Sequence, residues 1–155
     1  MVGTAEQNAK GGLMTFDKLA PNWPDLPVAG EQHIADLLDL MVSPRARMNG
    51  ALLVLVCDDQ LRPIQPILIE DSNGDVPRPP YVTELLCNMA AGVARSFPGA
   101  TALVALGREG GLTPSVMDRA WHRSIREAFA GRVEPIGVYV ITPRGSVPLT
   151  GRAAA

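Results

Sequence analysis

Continuous apolar runs alternate with helical stripes along most of this chain. Ala51–Cys57 and Ala102–Leu106 are unbroken apolar stretches, the pattern of strands covered on both faces. Ile136–Ile141 reads as a further strand, and Pro143-Arg144-Gly145-Ser146 turns toward a short segment at Val147–Leu149. Asp58-Asp59-Gln60 is a turn, and Ile64–Ile69 is the expected partner of the first strand. Pro63 and Pro66 confine that partner to an edge or a bulge, because proline brings no N–H to a ladder.

Three stretches carry the helical period instead. Ala29–Met41 places Ile34, Leu37, Leu38 and Met41 on one face, and Ser43-Pro44 stops it. Tyr81–Ser96 groups Leu85, Met89, Gly92 and Val93, and ends before Pro98-Gly99. A helix beginning near Thr113-Pro114-Ser115 and reaching Ala130 carries Met117, Trp121, Ile125 and Ala128 as its apolar stripe. Its Asp118, Arg119, His122, Arg123 and Arg126 favour the wet side. Asp71–Pro80 is a loop rich in Asn, Gly, Asp and Pro. Pro21, Pro24 and Pro27 make the stretch before the first helix extended rather than helical, with Phe16, Leu19, Trp23 and Leu26 as anchors if it wraps over the body. The expected organisation is a flexible or extended N-terminal arm over 1–28, one α/β domain over 29–149, and a disordered tail over 150–155.

Composition narrows the function classes. A chain of 155 residues, 46% hydrophobic, can bury one ordinary core. A net charge of −2 gives no global electrostatic case for nucleic acid or an anionic membrane. No apolar run approaches a membrane span, and no cationic-then-apolar leader opens the chain, so a cytoplasmic location is expected. Cys57 and Cys87 lack metal-type spacing and read as two buried reduced thiols.

Candidate chemistry concentrates in Thr101–Ala130, where a buried strand meets a glycine-rich loop and a capped helix. Ser115 with Asp118 has the capping-box spacing, with Asp in place of Glu. Thr113-Pro114-Ser115, two residues and Asp118 resemble the core of RadC-type JAB/MPN domains, a family that includes zinc-dependent isopeptidases. The family signature is His-x-His, seven residues, Ser, two residues, Asp. Here Ala105 and Gly107 stand where the histidines would be, and Arg108-Glu109-Gly110-Gly111 fills the gap that follows. The family's catalytic glutamate would fall near Gly50, and Arg45–Val56 contains no acid.

The resemblance spans about residues 50–142 and implies a single helix-flanked mixed sheet of the JAB/MPN, cytidine-deaminase-like type. It also implies no metal and no cofactor, because a catalytic zinc takes three protein ligands and Asp118 alone is one. The function it suggests is a non-catalytic protein-interaction domain with a protein partner or a second copy of itself. An alternative is an enzyme or a small-ligand or nucleotide binder using the glycine loop at 107–111 and the helix start. Its candidate residues are Arg108, Glu109, Ser115, Asp118 and His122, which should then converge on a cleft. Neither the Walker sequence nor the Rossmann fingerprint follows the strand. Plainer roles exist for each: a helix cap for Ser115 and Asp118, an exposed i,i+4 pair of Asp118 with His122, and a solvated loop carboxylate for Glu109. Asp118 and Glu127 interrupt the Arg119, Arg123 and Arg126 cluster, so a nucleic-acid surface is not expected.

Overall fold

Two interior strands, buried along their full length, organise the molecule. The computed structural model describes Leu19, residues 21–70 and residues 79–149. After a 3-10 turn at Trp23–Asp25, the elements are α1 (Glu31–Met41), α2 (Pro44–Asn49), β1 (Ala51–Cys57), β2 (Pro63–Glu70), α3 (Pro79–Ser96), β3 (Thr101–Gly107), α4 (Val116–Phe129), β4 (Glu134–Thr142) and β5 (Gly145–Leu149). The sheet order is β2-β1-β3-β4-β5. β1 is antiparallel to β2 and β3, β3 is parallel to β4, and β5 returns antiparallel to β4. This is a single mixed α/β domain.

β1 and β3 are buried throughout because their alternate residues feed two different cores. Leu52, Val54, Val56, Ala102, Val104 and Leu106 face one layer, where Leu86 and Ala90 of α3 and Trp121, Ile125 and Phe129 of α4 close over them. Leu53, Leu55, Leu103 and Ala105 face the other, beneath Ile34, Leu37 and Leu38 of α1 and Ala46 of α2. Each buried Val, Leu or Ile among these contributes about 1.5–3 kcal/mol, and each alanine less. Leu19 and Val28 belong to this second core, and the Val28 N–H donates to the Leu61 carbonyl at 2.7 Å, tying the start of the described chain to the β1–β2 turn. β2 is an edge strand with a register shift opposite Pro63, as its prolines require.

Several expectations need correction. Ser43-Pro44 ends α1 but also starts α2, because the Ser43 hydroxyl accepts from the Ala46 N–H at 3.1 Å and Pro44 suits a first turn. The proline-rich stretch contains a short 3-10 turn rather than being wholly extended. Leu85 and Met117 are each 47% exposed, so α3 packs through Leu86 and Ala90 with Met89 and Val93 of the expected face beside them, and Met117 overhangs the core from the first turn of α4. Asp118, expected on the wet side, is 3% exposed. Cys57 is buried, whereas Cys87 is only half-buried. The expected loop at Asp71–Pro80 lies outside the described residues up to 78, and α3 already begins at Pro79. Phe16, most of the expected arm and the 150–155 tail also lie outside them.

Arg47 is the buried cation that periodicity did not reveal. From α2 it donates to the carbonyls of Val42 at 3.0 Å, Thr142 at 2.9 Å and Leu38 at 3.2 Å, and to Asp39 at 2.9 Å. It therefore satisfies the carbonyls where α1 ends and fastens them to the end of β4. No described helix is long and apolar enough to cross a membrane.

Candidate functional site

β3 delivers the chain into the glycine loop at the C-terminal edge of the sheet. The Arg108 N–H donates to the Ile141 carbonyl at 3.0 Å, so the loop starts fixed to β4. Gly110, at φ 100°, takes a left-handed turn that a side chain disfavours. The loop then folds around the Arg108 side chain. Nη1 donates to the carbonyls of Glu109 at 2.9 Å and Gly111 at 2.8 Å, and Nη2 to that of Thr113 at 3.2 Å. Nε and Nη2 grip Asp118: Nε lies 3.0 and 3.2 Å from its two oxygens, and Nη2 2.8 Å from Oδ2.

Asp118 is placed by the helix cap. Its carboxylate accepts the Ser115 N–H at 2.8 Å while the Ser115 hydroxyl accepts the Asp118 N–H at 3.0 Å, a complete capping box. Burial pushes the carboxyl upward, but the Arg108 guanidinium and the Ser115 N–H outweigh it and hold Asp118 below the ordinary carboxylate range. The Arg108 side chain is 23% exposed against 4% for Asp118, so water reaches the pair from one side only.

The polarity of this loop decides what it can bind. A phosphate cradle aims N–H groups at its centre. This loop aims three carbonyl oxygens inward, and the chain's own guanidinium fills the space they define. The geometry is a cation seat already occupied by Arg108.

The remaining candidates do not join it. Glu109 is exposed and lines a shallow groove of about 330 Å³ with Met48, Gly110, Pro143 and Arg144. His122 lines a different groove, with Arg126 and the first half of β4. Burial, then the charge of Arg126, holds its imidazole below the ordinary value. The five candidates thus divide among three places, and only Arg108, Ser115 and Asp118 meet.

The positions aligned with the zinc ligands do not converge either. Ala105 packs in the core beneath α1 and α2, whereas Asp118 comes from α4 on the opposite face. At Gly107, a Cβ would lie 3.3 Å from the Ala51 Cβ and 3.4 Å from the Arg47 Cα, so α2 sits directly against that backbone. Among the described residues no three His, Cys, Asp or Glu side chains are grouped as a metal would need. Arg108 was legible as a charged loop residue. Its inward turn was not, because the acceptors lie one to ten residues away and depend on the loop's path. Compared with family models and with curated proteins, the chain gives no match.

Proposed function

We propose that this chain is a protein-interaction domain on a JAB/MPN-like scaffold, without the hydrolytic chemistry of that family. The observation that carries the reading is the Arg108 plug. Asp118, the one acid at a ligand position of the resemblance, is spent on a guanidinium and a helix cap. The resemblance itself is supported by the helix-flanked mixed sheet and by the strand, glycine loop and capped helix that place Asp118. With the glycine loop closed on its own arginine, the domain offers other molecules its surface rather than a reactive cleft at that loop. Native purification of the full chain, with light scattering and mass spectrometry, tests this: a stoichiometric protein partner or a defined homo-oligomer is expected. A strictly solitary monomer, or zinc binding accompanied by peptidase activity, would overturn it.

A further inference from the structure

The outer face of α4 carries a row of side chains that the core does not use. Trp121, Ile125, Ala128 and Phe129 turn the inner face of this helix into the first core. Val116, Arg119, Arg123 and Arg126 lie on the opposite side, and all four are exposed. They recur at i, i+3, i+7 and i+10, the row along which one helix packs against another. Val116 heads the row at 84% exposure, the highest of any large hydrophobic side chain among the described residues, and Met117 stands half in water beside it.

Beyond Val116 the row is basic, because the acids expected to break it stand elsewhere. Asp118 is turned inward to Arg108. Glu127 belongs to the flank toward α3, three residues past Ser124, whose hydroxyl accepts from that of Thr83 in α3 at 3.4 Å. Glu134 lies on the other flank, lining a groove with Arg126 and His122. Arg119, Arg123 and Arg126 are in no ion pair among the described residues, and Arg119 donates once, to the Pro114 carbonyl at 3.3 Å. Three guanidiniums thus turn most of their donors to water, in the forked form that suits carboxylates and phosphates. Three features favour a protein over a nucleic acid. The chain's net charge is −2, the aromatics of α4 are buried and offer no stacking surface, and a phosphate chain makes no use of Val116.

We infer that the outer row of α4 is the docking site for an acidic helix of a partner protein. Its carboxylates meet Arg119, Arg123 and Arg126, and an apolar residue meets Val116. The inference rests on the interaction-domain reading and names its surface. Ten residues of helix rise roughly 15 Å, so the contact takes about three turns of the partner. The arginine stems give apolar contact beneath their heads, while the charges select for acid and weaken with salt.

The test is an amide NMR titration of the full chain with three probes. One is a blocked, helix-forming peptide with one Leu and three Glu at the spacing of the row; the others are its shuffled counterpart and a short oligothymidylate. The spaced peptide should saturably shift the amides of Val116, Arg119, Arg123 and Arg126, and the shuffled one should bind roughly tenfold more weakly. Arg123→Glu should weaken the spaced peptide roughly tenfold, whereas Arg45→Glu, an equally exposed site on α2 across the sheet, should leave it close to the parent. The inference is overturned by equal binding of the two peptides, by equal losses in the two variants, by shifts confined to other surfaces, or by oligothymidylate binding without peptide binding. A native partner whose binding protects another face would also overturn it while leaving the interaction-domain reading intact. A strictly solitary monomer would remove that reading itself.

Discussion

Removing the Arg108 side chain would strand a buried carboxylate. Arg108→Ala should cost about 3 kcal/mol, the low end for breaking a buried pair because one side of it is wet. Asp118→Asn keeps the shape and much of the cap, so the double variant should cost clearly less than the two single ones summed. A urea-denaturation cycle measures that coupling. Acidity acts through the same group. Unfolded, a carboxyl titrates near about 3.9. Asp118 titrates lower when folded, so its contribution is complete above the unfolded value and is lost as pH falls through the folded one. His122 has the same sign for a different reason. Its folded pKa lies below the ordinary 6.5, so the unfolded chain takes up the proton first and stability declines as pH drops below that value. Urea midpoints between neutral and acid pH should therefore fall in two stages, and His122→Gln should remove the earlier one. Cys57 supplies a further check. Burial, then Asp58, pushes its thiol up to about 12 against an opposing bond from Thr101, so a neutral-pH alkylating reagent should label Cys87 well before Cys57, as read by peptide mass.

At the level of elements, strands were easier to anticipate than helix faces, and the reason is physical. β1 and β3 are covered on both sides, so every position is apolar and the run announces itself in Ala51–Cys57 and Ala102–Leu106. A helix shows only a stripe, and its ends overhang the core. Leu85 and Met117 fit their periods yet stand half in water. Asp118 breaks the pattern in the other direction, since a partner ten residues back makes its burial tolerable. The edge position of β2 was legible because proline forbids alternatives, whereas α2 was hidden by a Ser-Pro that reads equally as a stop and a start. That helix depends on its cap and on Arg47. Ser43→Ala should cost about 1 kcal/mol. Arg47→Met should cost more, on the order of 3 kcal/mol, because the Val42 and Thr142 carbonyls and Asp39 each lose a guanidinium donor and the Leu38 carbonyl keeps only the Val42 N–H. Thermal unfolding of the two variants should rank them in that order.

Across the whole molecule, one helical layer comes from residues before Gly50 and the other from residues after Glu70, with the sheet between them. The first layer includes Leu19 and Val28, so a chain starting at Leu19 should keep that core whereas one starting at Ala29 should lose several kcal/mol. Comparing their urea midpoints with that of the full chain decides the matter. The contact of α2 with Gly107 has a consequence for engineering. A histidine there would drive its ring into the Arg47 backbone, and one at position 105 would enter a filled core, both turned away from Asp118. Two substitutions would therefore yield a damaged fold rather than a zinc enzyme. Clearing room by shifting α2 or removing Arg108 would not help, because the sheet itself stands between those two positions and Asp118.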